Sequence, residues 1–125
     1  AQRKIEIIED FDDVEITGDK DLIFKALLFL IRNAIDHSVQ NGKIEIKVKK
    51  ETDKVVISIL DYGKGFSDEV IKNIYSPYRF NEEEFHKNNE LSIYLVKLIM
   101  DYHQGELKVY NKSGAGAFVE LVFNQ

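Results

Sequence analysis

Val55-Val56-Ile57-Ser58-Ile59-Leu60 runs directly into Asp61-Tyr62-Gly63-Lys64-Gly65-Phe66. The first half is a short apolar run rich in β-branched residues and reads as a buried strand. A carboxylate therefore stands where a strand ends, with two glycines after it. The strand fixes the carboxylate in space. The glycines let the backbone turn through conformations closed to other residues, and let a ligand come close to the main chain. Such a corner suits an acceptor that reads an amino group on a planar ligand. Taken alone, Asp-x-Gly-x-Gly is also an ordinary glycine-rich turn.

Working outward, Lys43 to Lys50 alternates, with Ile44, Ile46 and Val48 on one side and lysine or glutamate on the other, the pattern of a half-exposed strand. Before it, Lys20 to about Val39 reads as a long helix. Leu22, Ile23, Ala26, Leu27, Leu30, Ile31, Ala34 and Ile35 make its apolar face, Asp19 its N-cap, and Asn41-Gly42 its stop. Asn33 shares a helical stripe with Phe29 and His37, four residues away on either side. At the start of the chain, Lys4 to Glu9 and Val14 to Ile16 read as two strands of a hairpin around the acidic turn Asp10-Phe11-Asp12-Asp13.

Downstream, Ser67 caps a short helix through about Asn73, and Pro77 breaks the chain. Asn81 to Glu90 is acidic and has no apolar period, so it reads as a loop or irregular helix. A second long helix starts at Leu91, with Leu91, Leu95, Leu98, Ile99 and Tyr102 placed on one face and Leu95 and Leu98 expected against the sheet. It stops at Gly105. Glu106 to Tyr110 and Ala117 to Phe123 read as a closing hairpin joined by Asn111 to Gly116. Strands in consecutive pairs between helices predict an α/β two-layer sandwich: a mixed, mainly antiparallel sheet with helices on one face.

Composition narrows the function. The 125 residues suit one domain, 1–125, and 44% hydrophobic with 31% charged residues suits a folded globule. With no cysteine there is no disulfide and no thiolate chemistry. A net charge of −5 argues against a nucleic-acid partner. No apolar run nears the roughly 18 residues that span a bilayer; no direct membrane contact and a cytoplasmic location are expected, with membrane anchoring of a longer parent protein left open. The chain opens directly on what reads as a strand, as a piece of a longer protein would. None of His37, His86 and His103 has a partner at metal-ligand spacing, which excludes a zinc site.

Three stretches in order and spacing make the chain similar to a known family. Asn33-Ala34 resembles the N box, Asp61-x-Gly63-x-Gly65 the first glycine box, and Tyr75-x-Pro77-Tyr78 the F box of the ATP-binding catalytic domain of sensor histidine kinases. That domain belongs to the group that also contains gyrase, Hsp90 and MutL. The resemblance covers nearly the whole chain and implies the Bergerat-type sandwich. It also implies a nucleotide site of Asn33, His37, Asp61, Gly63, Gly65, Tyr75, Tyr78 and Leu91. In that site Asp61 would accept from the adenine amino group, and Gly63 and Gly65 would let the purine lie on the backbone. Asn33 would hold Mg²⁺ through its amide oxygen. Tyr75 and Tyr78 would anchor the lid by packing. The cofactors implied are ATP and Mg²⁺. The activity implied is transfer of the γ-phosphate to a histidine on separate dimerisation helices, which serve a response regulator through the full kinase. His103, in His103-Gln104-Gly105, matches the family's His-Gly-Gly helix end and is expected to be structural.

The pattern breaks at the second glycine box, Gly-x-Gly-Leu-Gly-Leu. Here the matching residues are Asn88-Asn89-Glu90-Leu91-Ser92-Ile93, with every glycine replaced. Phosphates bind a helix start through free N–H groups that glycine leaves open. A carboxylate at Glu90 about 4 Å from a phosphate would cost about 4 kcal/mol per charge pair at an effective dielectric near 20. Phe29 stands where the family usually has asparagine, and Asp36 where it often has a cation. The adenine end is thus kept and the phosphate end altered, with Arg79 or Lys87 as possible compensation. Two other readings follow: a degenerate docking or regulatory module of the same fold, and a stand-alone serine kinase of the anti-sigma-factor type.

Overall fold

A computed structural model describes residues 4–75 and 91–125. Its elements run β1 (Glu6–Phe11), α1 (Lys20–His37), β2 (Lys43–Lys50), β3 (Lys54–Asp61), α2 (Asp68–Ile74), α3 (Leu91–Tyr102), β4 (Glu106–Asn111) and β5 (Ala117–Asn124). The five strands form one sheet in the order β1-β2-β3-β5-β4. β2–β3, β3–β5 and β4–β5 pair antiparallel, and β1–β2 parallel, so the sheet is mixed and mainly antiparallel as expected.

The apolar run at 55–60 sits at the centre of that sheet. Val55, Ile57 and Ile59 point to the helix side, where they meet Val119, Leu121 and Phe123 of β5 and Leu107 and Val109 of β4. α1 contributes Ala26, Leu30 and Ala34 to the same core, and α2 contributes Val70 and Ile74. The caps are those the side chains dictate. Asp19 accepts from the Leu22 N–H at 3.0 Å, and Ser67 from the Val70 N–H at 3.2 Å. At the other end of α1, Ser38 donates its hydroxyl to the Ala34 carbonyl at 2.7 Å.

His103 joins the two long helices. Its Nε2 accepts from the Asp19 N–H at 2.9 Å, so the ring proton lies on Nδ1 and is donated to the Ile99 carbonyl at 2.8 Å. The start of α1 is thereby fastened to the end of α3. Gly18 makes room for this, since a Cβ there would lie 2.6 Å from the His103 ring.

Two sequence expectations are corrected. The N-terminal hairpin does not form: residues 14–16 are not a strand, and β1 instead pairs with β2, Glu6 opposite Lys43 through Phe11 opposite Val48. Every residue of β1 is exposed, so no buried face was there to fix its partner. The phase of α3 differs in part. Ile99 is buried as expected, together with Ile93, Val96 and Met100, whereas Leu98 is 46% and Tyr102 70% exposed. Leu95, Leu98 and Tyr102 line an apolar groove between α3 and α1, shared with Leu22 and Phe29.

This phase is checked by a pair of substitutions. Leu121→Ala, at a fully buried position of β5, should cost about 2–5 kcal/mol in denaturant melts. Leu98→Ala, on the outside of α3, should stay within about 0.5 kcal/mol of the parent. A large loss at Leu98 would place the helix the other way round.

Candidate functional site

Asp61 ends β3 and is 3% exposed. A carboxylate so deep needs hydrogen bonds in place of water. Those it accepts among the described residues both fall on Oδ1, from the Gly63 N–H at 2.9 Å and the Ala117 N–H at 3.1 Å. The first closes the turn leaving β3. The second reaches the first residue of β5. Oδ2 takes part in neither.

The glycines around it also serve the protein's own packing. A Cβ on Gly63 would lie 1.9 Å from the His37 carbonyl oxygen, so the end of α1 rests on the turn itself. A Cβ on Gly116 would lie 2.4 Å from Asp61 Oδ1 and 2.7 Å from the Gly63 nitrogen. Gly65 has φ +80°, and a Cβ there would meet Asn111 Oδ1 at 2.6 Å. Sequence reasoning gave Gly63 and Gly65 to a ligand; the directions their side chains would take are filled by His37 and Asn111. Asn111 clamps the same turn from β4, accepting from the Phe66 N–H and donating to the Phe66 carbonyl, both at 2.8 Å.

Of the other residues expected at the site, His37 ends α1 beside this turn, its ring meeting Phe66 edge-on at 6.1 Å between centroids. Its Nδ1 is buried with no hydrogen-bond partner among the described residues. Asn33, one turn earlier, points at the start of α3. Its Nδ2 donates to Ser92 Oγ at 3.1 Å, and that hydroxyl lies 3.3 Å from Asn33 Oδ1 as donor in return. Tyr75 is half exposed. Its hydroxyl donates to the Val109 carbonyl at 3.0 Å and accepts from the Val109 N–H, which ties it to β4. Leu91 opens α3. Tyr78, Pro77, His86, Arg79, Lys87 and the stretch 88–90 lie outside the described residues.

The structure thus brings Asp61, Gly63, Gly65 and His37 into one cluster, with Asn33 above it on α1. Gly116, Ala117 and Asn111 pack on the same turn and escaped sequence reasoning, whereas Ser92, which meets Asn33, was already marked as a replaced glycine of the second glycine box. The small-residue run Gly114-Ala115-Gly116-Ala117 before a strand was the available signal for the first two. As to a cation, no group of three or more His, Cys, Asp or Glu that could hold one occurs among the described residues. Asn33 offers one amide oxygen, which fits a magnesium ion carried mainly by phosphates and water and not a protein cage.

A family model described as histidine kinase-, DNA gyrase B-, and HSP90-like ATPase matches residues 18–125. The chain belongs to that family. Among its relatives, a heme sensor protein HssS of Staphylococcus saprophyticus is 26% identical over 99% of this chain and 27% of its own length. A methyl sulfide methyltransferase-associated sensor of Methanosarcina acetivorans is 34% identical over 86% of this chain and 11% of its own. Among solved structures, the nucleotide-free catalytic domain of histidine kinase ThkA superposes with a TM-score of 0.79 at 24% identity, covering 96% of this chain and 80% of that one. The chain therefore spans about a quarter or less of the two relatives' lengths. No helix among the described residues is long and apolar enough to cross a membrane.

Beside Asp61, on the opposite face of the sheet, Tyr62 donates its phenol to Glu45 at 2.5 Å. That hydrogen bond, with some desolvation and the carboxylate's charge, holds the Tyr62 pKa above the usual phenol value. A raised pKa means the fold prefers the neutral phenol. The link is complete below about pH 10, the ordinary phenol pKa, and is lost as pH climbs through the raised value. Glu45→Gln should return the Tyr62 titration toward the ordinary range, read from its ring-carbon NMR shifts. For the turn itself, Gly63→Ala forces a methyl into the His37 carbonyl. It should destabilise by about 1–3 kcal/mol in denaturant melts, and an unperturbed melt would refute the contact.

Proposed function

We propose that the chain is the ATP-binding domain of a two-component sensor histidine kinase, with Asp61 reading adenine and phosphate contacts weaker than is usual for the fold. One observation carries the adenine reading. Asp61 is buried and its Oδ1 is fixed by two backbone N–H groups, which leaves Oδ2 as an oriented acceptor for an exocyclic amino group. The charged acceptor cannot turn, so it selects an amino group over a carbonyl at that place. His37 and the 63–65 turn would flank the base. Asn33 would hold Mg²⁺ through Oδ1, and Tyr75 and Tyr78 would anchor the lid. Leu91 would contribute at the start of α3.

The reaction class is phosphoryl transfer, in which the protein's work is positioning and charge stabilisation. Magnesium, when bound, supplies neutralisation of phosphate charge. What this chain's residues do is hold the nucleotide's base end rigidly and present its phosphates along α1 and α3. The partners in this reading are the histidine-bearing dimerisation helices of a full-length kinase and, through them, a response regulator. A cytoplasmic setting goes with that reading. The altered second glycine box, with Ser92 in place of glycine and Asp36 on the exposed side of α1, supports modest discrimination between ATP and ADP.

Calorimetric titration tests both halves. ATP and ADP should bind the parent chain within about tenfold of each other, a difference under about 1.4 kcal/mol. Asp61→Asn keeps a carbonyl oxygen for the two backbone donors but can turn an N–H₂ toward the base. It should weaken both nucleotides by about 1.5–3 kcal/mol while the melting transition stays cooperative. Equal affinity in parent and variant would remove Asp61 from the adenine site, and low-micromolar ATP with much weaker ADP would show intact phosphate contacts.

A further inference from the structure

Asn33 and Ser92 lie 59 positions apart in the chain and meet across the gap between α1 and α3. Ser92 Oγ is 3.1 Å from Nδ2 and 3.3 Å from Oδ1 of the same carboxamide. One hydroxyl therefore straddles the polar end of the amide, taking a proton from its nitrogen and giving one to its oxygen. Both groups are part-buried, so neither bond is readily replaced by bulk water. Glycine, which the resemblance places at this position of α3, would leave the amide open.

We propose that the Ser92 hydroxyl is a latch on Asn33, closing the amide oxygen against α3 until a divalent cation arrives with the nucleotide. This rests on the role proposed for Asn33 above. The hydroxyl proton takes one of the two lone pairs of Oδ1 and carries positive charge, so it weakens that oxygen as a ligand for a cation. Magnesium also keeps an octahedral shell of water and phosphate oxygens at about 2.0–2.1 Å and gives it up reluctantly. That shell needs the space the hydroxyl holds. Loading the cation is therefore easier once the hydroxyl has swung off Oδ1. Ser92 acts here as a positioning residue: it sets how much of the nucleotide's affinity depends on the cation, without touching the base.

The test is ADP binding to this chain by calorimetry, with and without Mg²⁺, in the parent, Ser92→Ala and Ser92→Thr. The alanine removes the hydroxyl and suits a helix; the threonine keeps it. Cation-free ADP should bind all three alike. Added Mg²⁺ should improve affinity about two- to tenfold more in Ser92→Ala than in the parent, the net worth of one hydrogen bond, and Ser92→Thr should follow the parent. Without any ligand, the Asn33 side-chain amide signals in a ¹⁵N-correlated NMR spectrum should move in the alanine variant. An equal or smaller Mg²⁺ gain in Ser92→Ala, with ADP still bound, overturns the latch and leaves the adenine site standing. No ADP binding by the parent in either condition overturns the proposed function, and the latch with it.

Discussion

The double hydrogen bond on Asp61 Oδ1 is the constraint on which the arrangement of the site depends. One carboxylate oxygen joins three separate pieces of chain: the end of β3, the turn at Gly63 and the first residue of β5. Leaving that oxygen unpaired in the interior would cost several kcal/mol, so the turn and the β5 start are held where the carboxylate can reach them. The glycines follow from this closure. With the turn drawn in, Gly63 lies on the His37 carbonyl and Gly116 on Gly63, and neither place admits a Cβ. Asn111 then seals the far side of the turn through Phe66. The end of α1 is consequently positioned by the same corner that presents the acceptor.

Much of this was legible along the chain. The apolar run 55–60 announced a central strand, the alternation at 43–50 a half-exposed neighbour, and Asp19 and Ser67 the helix starts. What failed did so for physical reasons. β1 has no buried side chain, so its pattern carries no information about its partner, and the acidic residues 10–13 resembled a turn although Asp10 belongs to the strand. In α3 nearly every position is apolar, so two stripes competed and periodicity could not choose between Leu95–Leu98–Tyr102 and Ile93–Val96–Met100. Only the shape of the sheet decides that.

The site divides in the same manner. Asp61 and its glycines are a local motif and can be read locally. Ala117, Asn111 and Ser92 act through contacts that span 56, 45 and 59 positions; the first two are unremarkable in sequence, and Ser92 stood out as a replaced glycine with no sign that Asn33 is its partner. Sequence assigned the glycines to a ligand's approach. The structure adds a packing reason: Gly63 lets the turn lie against the His37 carbonyl, and Gly65 leaves room for the Asn111 side chain.

The His103 clasp has a mechanical consequence. α1 and α3 run antiparallel, joined at one end through Asp19 and at the other through Asn33 and Ser92. The first joint uses both ring nitrogens of a histidine and a backbone donor; the second uses one mobile hydroxyl. A separation at the Asn33–Ser92 end alone would leave the Asp19–His103 joint as its pivot. Asn33 lies 14 residues along α1 from Asp19, about 21 Å at 1.5 Å per residue, so a pivot of about 5° moves it by about 2 Å. A lever of that length would turn a small tilt into a displacement the size of a cation's coordination distance.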